Sequence, residues 1–435
     1  MWAMQDAEQG MLFPELAEDR REIADRSSST FTKNMSLPVH SWFRYSAGFS
    51  ATWVEQVIRE RSSQDEVRVL DPFAGSGTTL LVAESIGCAS IGLDPHPFVS
   101  RVARAKLEWY SDPEEFSNFA SKVIRTAEKS RASTKGYPPL VYKCYDTETL
   151  AGLGKLRRAL EKLRDDSSAY QLAWLAFIAI IRKASHAGTA QWQYVLPNKR
   201  KSKAAEPFAA YAATIQTMYN DMRLCPFKNG PRATFLENDA RTCEGVSDDW
   251  ANLVVTSPPY PNNYDYADAV RLELCVLKEI AGWSDLQASI RNHLLRSCTQ
   301  HVPPSAADLD EVLSSEVLEP IRDEISTVCR QLSDVRLSKS GKKTYHLMVA
   351  CYFRDLAEVW HALRRVCCNG ADLCFVIGDS APYGVYVPVI PWLGKLAISA
   401  GFKSYSFERT RNRNIKWKNR KHRVPLQEGR LWVKG

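Results

Sequence analysis

Several kinds of chemistry are missing from this sequence. Its eleven cysteines form no C-x-x-C pair and no zinc spacing, and no H-E-x-x-H occurs among its eight histidines. Neither a structural zinc module nor a zinc hydrolase is expected, and no metal is assigned. No secretory signal is evident, so the thiols read as reduced and the chain as cytoplasmic, associated with the nucleoid. The longest apolar run, Leu172 to Ile181, is too short to cross a bilayer. It reads as a buried helix, and no membrane partner is expected. No Gly-rich turn ends in G-K-[ST], which argues against a nucleoside triphosphatase, and no nuclease motif is evident.

What remains is an ordinary globular composition. The 435 residues are 45% hydrophobic and 25% charged, enough for a large core in one elaborated domain or two to three average ones. A net charge of +7 is compatible with a polyanionic partner without requiring one.

One stretch organises the rest. Ala251-Asn252-Leu253-Val254-Val255 is a short apolar run that reads as a buried strand of a parallel sheet, and Thr256-Ser257-Pro258-Pro259-Tyr260 follows it. Such strand ends hold the ligands of open α/β sheets. The two prolines remove two N–H donors, so the backbone there only accepts hydrogen bonds. Ser257 adds a hydroxyl acceptor and Tyr260 a flat ring. Acceptors beside an aromatic face suit a planar ring bearing an exocyclic NH2. A plain Pro-Pro turn is the alternative.

A second stretch weakens that alternative. Val67 to Leu70 reads as a strand, Asp71-Pro72-Phe73-Ala74-Gly75-Ser76-Gly77-Thr78-Thr79 as a Gly-rich turn opening a helix. Glycines allow close backbone approach to a ligand, and a helix start supplies free N–H groups. A further strand, Ala89 to Leu93, ends in Asp94, near the spacing of about 20 residues expected for a ribose-hydroxyl acceptor.

Together these two motifs resemble those of the amino-group DNA methyltransferases, the S-adenosylmethionine-dependent enzymes that methylate cytosine N4 or adenine N6. The Ser form of the tetrapeptide is similar to the cytosine-N4 branch; Asp or Asn is commoner in the adenine branch. The resemblance implies an α/β fold, a Rossmann-like class I methyltransferase with a mostly parallel, doubly wound sheet and helical insertions. It implies S-adenosyl-L-methionine as cofactor and double-stranded DNA as partner. Cofactor contacts are then expected from Asp71, Phe73, Ala74, Gly75, Ser76, Gly77, Thr78, Thr79, Asp94 and Asp239, with His40, Trp42 and Phe43 in a segment that closes over the cofactor. Ser257, Pro258, Pro259 and Tyr260 carry catalysis. Adenine N6, RNA amino methylation, and a DNA-binding subunit without activity stay open as alternatives. Any restriction endonuclease partner is a separate chain, and a homodimer is open.

The rest of the chain is read around this frame. Residues 1–30 read as a flexible N-terminal tail and residues 31–435 as the catalytic domain. Two stretches, 110–230 and 267–345, read as helical insertions, the first being the leading candidate for target recognition. Leu153, Leu156, Leu160 and Leu163 mark an amphipathic helix within it. Lys199, Arg200 and Lys201 follow two aromatics, a pattern that suits nucleic acid as well as a solvated loop. Tyr405 to Phe407 and Leu431 to Val433 look like a final antiparallel pair. Between them lie Arg411, Arg413, Lys416, Lys418, Arg420, Lys421 and Arg423, the densest positive stretch of the chain and a candidate phosphate contact.

Overall fold

The computed structural model describes residues 31–45, 48–62, 66–190, 193–224, 230–302, 307–339, 343–413 and 424–435. The expected tail, residues 1–30, lies outside them, as do Lys416, Lys418, Arg420, Lys421 and Arg423. Among the described residues no helix is long and apolar enough to cross a membrane.

Among the described residues nine strands form: β1 (Arg68–Asp71), β2 (Ala89–Leu93), β3 (Ala187–Thr189), β4 (Val195–Arg200), β5 (Thr234–Leu236), β6 (Ala251–Thr256), β7 (Cys367–Gly378), β8 (Ser404–Arg413) and β9 (Leu426–Lys434). Seven of them make one sheet in the order β5-β2-β1-β6-β7-β9-β8. The strands from β5 to β7 are mutually parallel, while β9 runs antiparallel to β7 and β8 antiparallel to β9. This is the expected doubly wound α/β sheet, closed at one edge by a hairpin. Tyr405 faces Val433 and Phe407 faces Leu431, as the apolar pattern of the two runs requires.

The buried strands alternate their side chains between two cores. Val69, Leu253, Val255, Cys374 and Val376 point into one. Leu70, Val254, Leu373, Phe375 and Ile377 point into the other. Both faces must therefore be covered. The helix Tyr345–Val366 covers the second face with Leu356, Val359, Leu363 and Val366. The first face is covered by helices that include Ser168–Ala184, the expected buried helix, and Thr147–Lys162, whose Leu153, Leu156 and Leu160 are buried. Residues 110–230 thus share one continuous core with the sheet. Read as an interruption of the core pattern, they are in fact one of its layers.

Strand order reverses between β1 and β6, where the chain leaves the two neighbours toward opposite sides. A crevice opens at such a point, beyond the carboxyl ends of the strands. The Gly-rich turn follows β1 and Ser257 follows β6, so the two motifs, far apart in sequence, meet there.

Candidate active site

Asp71 joins the two motifs. It is fully buried at the end of β1. Its carboxylate accepts hydrogen bonds from Thr79 Oγ1 at 2.6 Å, Thr256 Oγ1 at 2.6 Å and the Phe73 amide at 3.1 Å. Burial pushes this carboxyl up to about 6, against those three hydrogen bonds. With its oxygens committed inward, Asp71 is a brace between the Gly-rich turn and β6. It is not the open ligand contact expected from the sequence, and Thr79, buried beside it, serves the same brace.

The turn itself keeps its backbone open. Gly75 and Gly77 take left-handed conformations, with φ of 51° and 85°, that side chains disfavour. A Cβ on Gly75 would lie 3.3 Å from the ring of Tyr45. Phe73 stays partly exposed, whereas Ala74, Ser76 and Thr78 are buried. The Ala74 amide is closed onto the Leu93 carbonyl at 2.9 Å, which ties the turn to β2.

Asp94 stands just past β2, partly open to solvent. Its Oδ2 accepts from the Gly75 amide at 3.0 Å and its Oδ1 from the His96 amide at 2.9 Å. Each oxygen keeps a lone pair. Burial raises this carboxyl to about 7, the two amide bonds opposing it. The sign follows. An acid whose folded pKa lies above its unfolded value stabilises the fold at low pH, and the contribution is lost as pH rises through the folded pKa. Asp94→Asn should therefore flatten the decline in stability of the ligand-free protein between about pH 4 and pH 7, read from urea midpoints across that range. An unchanged slope would remove Asp94 as its source.

A positively charged, ribose-bearing cofactor fits this chemistry. Two open carboxylate lone pairs match vicinal hydroxyls, and a glycine backbone without Cβ atoms permits close approach. The residues that would hold S-adenosylmethionine are Asp94 and the Gly75–Gly77 backbone.

The structure places the remaining cofactor candidates elsewhere. His40, Trp42 and Phe43 are buried, as an aromatic mini-core. Trp42 Nε1 donates to Asp221 Oδ2 at 2.7 Å, and the Phe43 ring meets Phe98 edge-on at 5.9 Å. The buried Lys106 ammonium donates to the His40 carbonyl at 3.0 Å. The residue of this segment that reaches the turn is Tyr45, which sequence reasoning passed over; its place at the end of the same aromatic cluster was the available signal. β5 ends at Leu236, so Asp239 lies in the following turn rather than on the strand, paired with Arg241.

At the Ser257–Tyr260 turn several backbone acceptors are already taken. Pro259 O accepts from Tyr352 Oη at 2.9 Å, Tyr260 O from the Asn262 amide at 2.7 Å, and Pro261 O from Ser380 Oγ at 2.6 Å. Among the described residues no donor reaches the carbonyl of Pro258. Ser257 Oγ donates its one proton to Val376 O at 3.2 Å and also meets the Tyr260 side chain, which leaves its hydroxyl one lone pair for a further donor. Ser257 and Tyr260 are both partly exposed.

The loop after the turn is clamped. Asn263, at a φ of 65°, accepts on Oδ1 from the Thr299 amide at 2.9 Å and from Thr299 Oγ1 at 2.6 Å. Asp265 accepts from Arg291 Nη2 at 2.7 Å and Nε at 3.1 Å, with His301 Nε2 3.5 Å away, all three side chains buried. The Asp265 amide donates to Tyr194 Oη at 2.7 Å.

The basic candidates divide. Lys199 and Arg200 are exposed on β4 of the two-stranded β3–β4 ribbon, not in a loop. Lys201 turns inward and donates to the Arg182 carbonyl at 2.7 Å. Arg411 and Arg413 lie on β8 and both pair with the buried Glu428.

Residues 14–105, which include the Gly-rich turn, match the model of a family described as DNA methylase. The chain is 24% identical to the Type II methyltransferase M.BsoBI of Geobacillus stearothermophilus, over 96% of this chain and 89% of the relative. It is 25% identical to the Type II methyltransferase M.AvaI of Nostoc sp., over 88% and 82% respectively. No solved structure gives a significant match.

Proposed function

We propose that this chain, which belongs to the S-adenosylmethionine-dependent amino-group DNA methyltransferases, methylates the exocyclic N4 of cytosine in double-stranded DNA. The carrying observation is the pair of acceptors with capacity left, a lone pair of Ser257 Oγ and the carbonyl of Pro258, beside the partly exposed Tyr260 ring. The target base leaves the stack and enters the crevice, because its amine is out of reach inside a duplex. Tyr260 stacks on the ring. Ser257 and Pro258 accept the two amine hydrogens, which turns the conjugated nitrogen toward tetrahedral geometry and frees its lone pair. The bound cofactor supplies an electrophilic methyl group on a sulfonium. The freed nitrogen lone pair would be aimed at that methyl carbon by Ser257, Pro258 and Tyr260, and the extra proton on nitrogen would then leave to water. Positioning and polar stabilisation of the charge on nitrogen supply most of the rate.

Exposed Lys199 and Arg200 support phosphate contact, and their loss should lower affinity evenly across sequences and reduce its salt dependence. The Type II relatives support a role in restriction–modification. The test is nucleoside mass spectrometry of unmethylated DNA incubated with protein and S-adenosylmethionine. N4-methylcytosine is the expected product. N6-methyladenine would overturn the base assignment, and no product on DNA would overturn the substrate.

A further inference from the structure

Arg413 is the charged side chain that reaches the catalytic tyrosine. Its guanidinium carbon lies 5.6 Å from the centroid of the Tyr260 ring. Two neighbours fix it there. Nε pairs with Glu428 Oε2 at 3.3 Å, and Nη1 donates to the Asp379 carbonyl at 3.3 Å. Glu428 is 4% exposed, on β9, and so is a rigid anchor. Gly378 makes the space: a Cβ there would stand 3.1 Å from Arg413 Nη1. No acceptor among the described residues takes the two Nη2 hydrogens. A half-buried, anchored guanidinium thus presents spare donors at the site where the base ring stacks.

Both candidate bases carry an amine, but they differ on the rest of that edge. Cytosine continues with two acceptors, N3 and O2. Adenine continues with one acceptor, N1, and then an apolar C2–H. A planar guanidinium offers paired donors that match two adjacent acceptors, a geometry that an ammonium lacks. The acceptors of the turn bind the amine of either base. The donors of Arg413 complement the acceptor edge of cytosine alone.

We infer that Arg413 contacts the flipped base and selects cytosine by donating to its N3 and O2. This rests on the reading of the chain as an enzyme acting on a base amine at Ser257. It gives β8 a role distinct from phosphate binding.

The test uses the full chain and a duplex carrying the methylated site mapped from its own product. The target position holds either cytosine or adenine. Wild type should prefer cytosine, and Arg413→Lys should lower single-turnover transfer to cytosine about 10- to 100-fold while transfer to adenine changes little. Arg413→Gln, which keeps a donor but loses the charge and the fork, should fall between. S-adenosylmethionine affinity, measured by calorimetry, should hold in both variants. Equal loss on both bases, or an unchanged ratio, would overturn the inference and leave Arg413 a structural residue. Failure of the underlying reading shows separately, as a wild-type enzyme that makes only N6-methyladenine or no DNA product.

Discussion

Ser257→Ala should lower methyl transfer about a hundredfold or more, the scale on which removal of one group that stabilises transition-state charge is felt. Cofactor affinity should stay close to wild type. The reason is geometric. Ser257 follows β6 and bonds toward β7, at the Val376 carbonyl, whereas the cofactor cradle is built from the turn after β1 and from Asp94 after β2. The lost Ser257–Val376 bond is worth only about 1 kcal/mol of stability, so the variant should fold. Single-turnover transfer and cofactor calorimetry read the two effects separately. Ser257→Asp is the informative companion, since a carboxylate restores an acceptor but no ordinary hydroxyl donor. Partial recovery would support the acceptor role. If Ala weakened cofactor binding and turnover equally, Ser257 would belong to the cofactor site instead.

The same division explains what the sequence could and could not reveal. Motifs whose function depends on local backbone were legible. Gly75 and Gly77 announced a turn open to close approach, which the fold makes left-handed, and Ser257-Pro258-Pro259-Tyr260 announced a donor-poor one. Strands buried on both faces were legible as apolar runs, and so was the antiparallel pairing of the run at Tyr405–Phe407 with that at Leu431–Val433. Partnerships across the fold were not. Arg411 and Arg413 read as free phosphate contacts because their partner, Glu428, reaches them only when β9 folds back along β8. Asp71 read as a ligand contact because nothing local reveals that Thr79 and Thr256 take its oxygens. Residues 110–230 read as inserted because an amphipathic helix does not name the surface it covers. Asp239 stands three residues past the end of β5, in a stretch where Asn238 and Asp239 favour a turn.

Arg291→Ala should destabilise the protein by about 3–5 kcal/mol, because it leaves a buried carboxylate without its cation. Arg291 and Asp265 have side-chain exposures of 1% and 7%. Burial works against the Asp265 charge, yet hydrogen bonds from His301 and Arg291 hold the carboxyl down at about 2. The stabilisation is therefore complete above the unfolded value near pH 4 and lost only as pH falls toward 2, so the variant's deficit should be full at neutral pH. Arg291 also lies against the Trp283 ring, 4.1 Å from its centroid, so truncation removes packing as well as charge. The pair can be separated from the packing by a double-mutant cycle with Asp265→Asn and Arg291→Met. Removing both charges should cost less than removing the arginine alone. The effect should reach catalysis, because Asp265 anchors the loop that follows Tyr260, and this same loop meets Tyr194 from the first helical segment and Thr299 from the second. Turnover measured well below the new melting point should then fall further than cofactor affinity. A variant with full turnover and a lowered melting point would confine the pair to stability and free the loop from any part in placing the base.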